Sequence, residues 1–169
     1  NKTYKKQLSW KEGMAGKKKR LILKFSEISI EDVQIVGGKN ASLGEMHREL
    51  VKKGVRIPNG FATTSFAYRK FIEEAGIKKE IKKVLKGLNV RNYEQLSDAG
   101  SRIRRLILNS KFPDKLRKEI VMHYEKLSKE YGMKEADVAV RSSATAEDLP
   151  NASFAGQQES FLNVRGEKD

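Results

Sequence analysis

The feature that most limits the possible folds is a change in apolar periodicity along the chain. Between residues 40 and 132 several stretches have apolar side chains that recur every three or four positions, which predicts a succession of amphipathic helices. Short apolar runs flank this region at residues 21–25 and 137–141, and a third lies at residues 159–164; each is typical of a strand. Short strands combined with amphipathic helices predict an α/β or α+β fold.

A glycine turn precedes the first long helix of this pattern. The helix is predicted from residue 40 to residue 53 and ends before Gly54. Its predicted apolar face carries Leu43, Met46 and Leu50. The turn, Gly37-Gly38-Lys39, lets backbone N–H groups approach a phosphate, while the lysine supplies a positive charge. It lacks the spacing of a Walker A motif, and an ordinary turn before a helix is the competing interpretation.

The strand predicted at residues 137–141 ends in an arginine that leads into a polar loop. The guanidinium of Arg141 is permanently charged, and its planar set of donors suits a phosphate oxygen or a carboxylate. Two serines follow it directly. The alternative is an arginine that pairs with Glu147 or Asp148 and so stiffens the loop.

The rest of this polar loop offers two further candidate functions. Glu147 and Asp148 are candidate ligands of Mg²⁺, which prefers carboxylates together with phosphate oxygens. Adjacent carboxylates are also typical of a solvated loop or a helix cap. Residues 153–158 are a candidate loop over phosphates, in which Gly156 lets the backbone approach closely. A turn between two strands is the alternative for that segment.

The positive charge of the chain is concentrated at its beginning. The sequence has 35 lysines and arginines against 22 acidic residues, a net charge of +13. Residues 1–24 hold nine of the basic residues and one acidic residue, Glu12, which leaves a net charge of +5 for the remaining 145 residues. We therefore expect residues 1–20 to form a basic, flexible arm. A module that binds a polyanion through this arm is one hypothesis, although the interleaved aromatic side chains typical of nucleic-acid binding are missing.

Several classes of site are disfavoured by residues that the sequence lacks. Without cysteine there are no disulfides, thiolate zinc sites, iron–sulfur clusters or cysteine nucleophile. The two histidines, His47 and His123, have no further histidine at ligand spacing, which argues against a transition-metal site. No apolar run approaches the ~20 residues of a membrane span, and no secretory signal is present. We therefore expect no membrane partner and a cytoplasmic location.

Three stretches, taken in order, carry a resemblance to a known family. Residues 36–46 contain the Gly-Gly-Lys turn, residues 58–64 read Pro-Asn-Gly-Phe-Ala-Thr-Thr, and residues 140–164 begin Val-Arg-Ser-Ser-Ala-Thr. Together they closely resemble the front of the phosphoenolpyruvate synthase family, also called pyruvate, water dikinases. The resemblance runs from about residue 21 to residue 164. Pyruvate phosphate dikinases and rifampicin phosphotransferases share looser versions of the same stretches.

The resemblance implies that residues 21–169 are the first part of an ATP-grasp-like nucleotide-binding domain. In that family the lysine of the Gly-Gly-Lys segment and the arginine of the Val-Arg-Ser-Ser segment hold ATP phosphates, which implies the same role for Lys39 and Arg141. Residues 153–158 resemble the family's phosphate-covering loop. The candidate residues of the phosphate loops are therefore Gly37, Gly38, Ser142, Ser143, Ser153, Phe154, Gly156 and Gln157.

The resemblance also implies the activity of a whole enzyme. The family makes phosphoenolpyruvate, AMP and phosphate from pyruvate, ATP and water, through a phosphohistidine on a swivelling domain; it is a transferase of gluconeogenesis. The chain stops before that domain, before the pyruvate domain, and before the main Mg²⁺ ligands and most of the adenine pocket. We therefore expect this stretch to be inactive alone and to contain no catalytic histidine.

The expected partners are ATP, the remaining domains of the same polypeptide and, through them, pyruvate. Whether copies form a homo-oligomer is left open. A related dikinase or a rifampicin-type phosphotransferase is the alternative enzyme, because the handling of ATP is shared among these families.

Overall fold

The computed structural model describes residues 16–145 and 159–168. The helices and strands in chain order are β1 (Ile22–Lys24), α1 (Val33–Val36), α2 (Gly38–Leu50), β2 (Phe61–Thr63), α3 (Ser65–Glu74), α4 (Lys78–Leu85), α5 (Tyr93–Leu108), α6 (Asp114–Glu130), β3 (Val138–Arg141) and β4 (Ser160–Val164). Helices and small sheets are mixed, so the predicted α+β class is confirmed. None of the helices in these ranges is both long and apolar enough to cross a membrane.

The chain divides into two compact units, one of residues 1–67 and 118–169 and one of residues 68–117. The second unit is helical. Within it α4 contacts α5, and the rings of Phe71 and Phe112 lie with their centroids 5.8 Å apart. Its buried side chains include Phe71, Ile72, Ile77, Ala99 and Leu116. These positions belong to the apolar stripes of the sequence, so this unit follows the periodicity closely.

The first unit contains two separate two-stranded sheets and a small core. β1 pairs antiparallel with β2, with Ile22 opposite Thr63 and Lys24 opposite Phe61. β3 pairs antiparallel with β4, and we call this second pair the ribbon. The buried core beneath β1 and β2 consists of Leu23, Ile28, Ile35, Val36, Ala41 and Ala62.

Helix α2 packs through its small residues rather than through its large apolar ones. The buried residues of α2 are Gly38, Ala41 and Gly44, whereas Met46 is 39% exposed. An ideal Cβ on Gly44 would lie 2.5 Å from the Cβ of Ile28 and 2.9 Å from its carbonyl oxygen. The predicted apolar face is therefore not the most buried one: Met46 is exposed, and Leu43 and Leu50 are partly buried. Close backbone approach at Gly44 turns the small-residue face inward.

A buried carboxylate joins the beginning of the described chain to this core. Asp32 has no exposed surface, and its Oδ2 accepts from the backbone N–H of Ser29 at 2.8 Å and from Nζ of Lys17 at 2.7 Å. Arg20 forms an ion pair with Glu27. Lys17 and Arg20 belong to the segment expected to be a flexible arm, so the end of that segment makes specific contacts. Residues 1–15 lie outside the described residues.

We predict that Gly44→Ala lowers the free energy of unfolding by about 1–3 kcal/mol. The new methyl group would overlap the Cβ and the backbone carbonyl oxygen of Ile28, and these atoms move only if the backbone moves. Gly100→Ala is the matched control, since Gly100 also lies inside a helix but meets only the mobile guanidinium of Arg104, at 3.3 Å. We expect the control to be neutral or more stable by up to about 1 kcal/mol. Urea denaturation followed by circular dichroism measures both, and equal effects of the two substitutions would contradict the packing argument.

We predict a second large loss of stability, about 3 kcal/mol, for Asp32→Ala. The substitution leaves the Lys17 ammonium and the Ser29 N–H without the carboxylate that they share. Asp98→Ala is the control, because the pair of Asp98 with Arg102 is exposed and 3.7 Å long, and its loss should change stability by less than about 0.5 kcal/mol. The same denaturation assay applies, and a loss below about 1 kcal/mol for Asp32→Ala would contradict the role of this buried pair.

Candidate functional site

The structure brings two of the predicted motifs into direct contact. The backbone N–H of Gly38 donates to the carbonyl oxygen of Ala144 at 3.3 Å. An ideal Cβ on Gly37 would lie 2.2 Å from the Oγ of Ser143 and 2.9 Å from the carbonyl oxygen of Ala144. Gly37 also has a φ of +83°, in the region that favours glycine. Only a residue without a side chain allows this approach, so glycine at position 37 is explained by loop contact.

Lys39 stands at the second residue of α2, immediately after this contact, and is partly buried. The N–H of Gly37 donates to the carbonyl of Val33 at 2.8 Å, so in this structure both glycine amides donate to protein carbonyls. A phosphate-binding role for these two amides stays a prediction. The positive end of the α2 dipole and the Lys39 ammonium remain as sources of positive potential at this end of the helix.

Arg141 is the last residue of β3 and is exposed, with Ser160 of β4 as its partner in register. The chain runs from Arg141 directly into the loop that touches Gly37 and Gly38. The segment that carries Arg141 therefore contacts the start of α2. The two cations that the motifs single out, Lys39 and Arg141, therefore lie on two segments in contact.

Ser142 closes the ribbon. Its N–H donates to the carbonyl of Glu159 at 3.2 Å, its hydroxyl donates to the same oxygen at 3.3 Å, and the N–H of Glu159 donates to the hydroxyl at 3.2 Å. The next hydroxyl, the Oγ of Ser143, is buried and has no hydrogen-bond partner among the residues that the structure describes. Phosphate binding by Ser142 and Ser143 stays a prediction, and Ser142 has a structural task in this arrangement.

An ion pair joins the two strands at the other end of the ribbon. Nε of Arg165 donates to Oδ1 of Asp137 at 2.8 Å, and Nη2 donates to Oδ2 at 2.6 Å. The hydrogen bond from Arg165 and its positive charge lower the pKa of the Asp137 carboxyl below its usual range. The same contact raises the pKa of Arg165. Both side chains are exposed, so this bidentate pair fixes the register of the strands more than it stabilises the fold.

The remaining predicted site residues lie outside the described residues. These are Glu147, Asp148, Ser153, Phe154, Gly156 and Gln157. In the ranges that the structure does describe, no group of three or more histidine, cysteine, aspartate or glutamate side chains is placed to hold a metal ion. Mg²⁺ binding by Glu147 and Asp148 stays a prediction.

The two histidines differ in their surroundings. Nδ1 of His123 lies 2.7 Å from the carbonyl oxygen of Glu119, and its ring centroid lies 5.6 Å from that of Phe61. Nδ1 of His47 is buried and has no hydrogen-bond partner within the described ranges. Neither histidine is among the residues that form the contact of Gly37 and Gly38 with Ser143 and Ala144.

Sequence reasoning missed three contacts. The carbonyl of Ala144 and the backbone of Glu159 bind residues of the candidate site, whereas the pair of Asp137 with Arg165 lies at the other end of the ribbon. The pair could have been found in the sequence, because an acidic residue directly precedes the first strand of the ribbon and a basic residue directly follows the second. The other two act through backbone atoms, which every residue carries. Their role follows only from the chain path.

Comparison with known proteins gives the family context of this geometry. The model of the family described as "Pyruvate phosphate dikinase, AMP/ATP-binding domain" matches residues 33–169. This match includes both segments that meet at Gly37 and Ala144.

Curated relatives match over most of the chain. The phosphoenolpyruvate synthase of Helicobacter pylori is 51% identical over 150 residues, which is 89% of this chain and 18% of the relative. The enzyme of the same name from Synechocystis is 50% identical over 158 residues, or 91% of this chain and 19% of the relative. That from Aquifex aeolicus is 51% identical over 150 residues, with 89% and 18% covered. The chain thus spans less than a fifth of the length of these relatives.

We predict that the acid titration of Asp137 depends on Arg165. Because the pKa is lowered in the folded state, the contribution of the pair is complete above the usual aspartate pKa of about 3.9 and is lost as the pH falls through the lower folded-state value. An NMR titration should give a midpoint below about 3.9 for Asp137, and Arg165→Met should return it to about 3.9. Arg102→Met is the control and should leave the midpoint unchanged; a midpoint insensitive to Arg165→Met would contradict the pairing.

Proposed function

The chain belongs to the pyruvate phosphate dikinase AMP/ATP-binding domain family, and from this we propose that it holds the triphosphate of ATP in a phosphoenolpyruvate synthase. The observation that carries the proposal is the contact of the Gly37–Gly38 turn with Ser143 and Ala144. Through this contact Lys39 and Arg141 stand on neighbouring segments.

The two cations have complementary chemistry. The ammonium of Lys39 is a compact charge with three donors, whereas the guanidinium of Arg141 offers a planar set of donors that can engage two phosphate oxygens. Placed on one triphosphate, they stabilise the negative charge that spreads over a phosphoryl group during transfer. Lys39 is partly buried at the start of α2, so the helix dipole acts on the same phosphates.

We assign the chain to the first part of an ATP-grasp-like domain. The support is the family match together with the ribbon, which is apolar and exposed: Val140 is 49%, Phe161 57% and Leu162 69% exposed. Two strands are marginally stable by themselves. The matching relatives are about five times longer than the chain, and we propose that polypeptide of that remainder covers the ribbon.

For the whole protein we propose the reaction of pyruvate, ATP and water to phosphoenolpyruvate, AMP and phosphate, in the cytoplasm. The phosphohistidine and the pyruvate site would belong to the remaining domains. Mg²⁺ would neutralise phosphate charge when bound. Within the described residues no cluster of three or more acidic, histidine or cysteine side chains could hold it, and we propose that its main ligands belong to the rest of the protein.

We predict that Lys39→Ala and Arg141→Ala each lower kcat/KM for ATP by about a hundredfold, the usual effect of removing one donor to the developing charge. The assay joins the chain to the remaining domains of a phosphoenolpyruvate synthase and measures AMP formed from ATP in the presence of pyruvate. Lys53→Ala and Arg56→Ala are the matched controls, because both residues are exposed cations of the same unit. Full activity of the Lys39 and Arg141 variants would refute the site assignment.

A further inference from the structure

One tyrosine hydroxyl joins both strands of the ribbon to helix α6 at one end of the ribbon. The Oη of Tyr124 donates to the carbonyl oxygen of Ala136 at 2.8 Å and accepts from the backbone N–H of Gly166 at 2.8 Å. Ala136 lies two residues before β3, and Gly166 lies two residues after β4. The hydroxyl therefore uses its donor and an acceptor position to hold the base of both strands at one point.

A serine one turn further along α6 completes this attachment. Ser128 is fully buried, and its Oγ accepts from the backbone N–H of Ala136 at 3.1 Å. Positions four apart on a helix share a face, so Tyr124 and Ser128 present their oxygens to the same segment. Both backbone polar groups of Ala136 are thus bound by α6, whereas the pair of Asp137 with Arg165 joins only one strand to the other.

The far end of the ribbon carries the arginine of the proposed site. Arg141 lies five residues beyond Ala136, about 16 Å along an extended strand, so Tyr124 acts on it only through the ribbon. Beyond Arg141 the loop touches Gly37 and Gly38. Since Val140 and Phe161 are about half exposed, packing of the ribbon faces against the other described residues fixes its position only weakly.

We propose that Tyr124 is a positioning residue: its hydroxyl fixes the ribbon on α6 and so sets where Arg141 stands relative to Lys39. The inference rests on the proposed function, because it gives Tyr124 a role in nucleotide binding only through Arg141. It requires no contact between Tyr124 and the nucleotide.

The first test compares two tyrosine hydroxyls of one neighbourhood in the chain. Tyr124→Phe removes the bridge to Ala136 and Gly166, whereas Tyr131→Phe removes a hydroxyl that accepts from the N–H of Asn59 at 2.8 Å, away from the ribbon. In the chain joined to the remaining domains of a phosphoenolpyruvate synthase, calorimetric titration with ATP should give a dissociation constant raised about three- to tenfold for Tyr124→Phe. This factor is expected if the free energy of about one of the two lost neutral hydrogen bonds is expressed in ATP binding. Tyr131→Phe should leave it unchanged. Equal effects of the two variants would overturn the proposal.

The second test asks whether Tyr124 acts through Arg141. In the Arg141→Ala background, Tyr124→Phe should weaken ATP binding no further, because the group that it positions is gone. Additive effects would show a general loss of structure and would overturn the inference. An Arg141→Ala variant that binds ATP normally would instead refute the proposed function, and this inference with it. If Tyr124→Phe binds ATP normally and Arg141→Ala binds it more weakly, this inference is refuted and the proposed function is not.

If Tyr124→Phe fails to fold, Ser128→Ala tests the same attachment. It loosens the same attachment from the other backbone group of Ala136, and it should show the same dependence on Arg141. Circular dichroism confirms that each variant is folded before titration. If Ser128→Ala is folded and binds ATP as the unsubstituted protein does, the attachment to α6 does not set the position of Arg141.

Discussion

The arrangement of the candidate site depends on one close approach between two segments of the chain. Gly37 and Gly38 meet Ser143 and Ala144 at a distance that leaves no room for a side chain at position 37. The two segments are about a hundred residues apart in sequence, so the contact closes a long loop at a considerable entropic cost. Without it Lys39 would begin a helix and Arg141 would end a strand, with nothing to relate one charge to the other.

The secondary structure was largely predictable because it follows local rules. Helix α2 continues into a 3-10 turn, Val51–Lys53, that ends at Gly54, which has a φ of +82°. Helix α6 begins directly after Pro113, and proline is well suited to a helix start. The buried face of α2 was not predictable by the same means. Hydropathy favours Met46, but the approach of Ile28 to Gly44 decides the outcome, and that contact depends on the path of a distant segment.

The residues of the candidate site also divide into those that the sequence predicts and those that it does not. Its charged residues, Lys39 and Arg141, follow from motifs, because their chemistry is carried by side chains that the sequence displays. The partners of Ser142 and Gly38 do not follow, since a hydroxyl or an amide can serve a ligand or the protein itself. In the structure Ser142 is bound by Glu159, and Gly38 is bound by Ala144. Only the three-dimensional path separates these uses.

The exposed ribbon and the excess of positive charge together affect how this stretch of chain behaves when nothing covers β3 and β4. In the part of the chain that the structure describes, β3 and β4 form a sheet of two strands, with Val140, Phe161 and Leu162 open to solvent. Such a sheet is a template on which a second copy can add its own strands. A net charge of +13 on every copy opposes that encounter. The repulsion weakens as salt shortens its range to about 8 Å at physiological ionic strength, so the colloidal stability of the uncovered chain is set by ionic strength as much as by its fold.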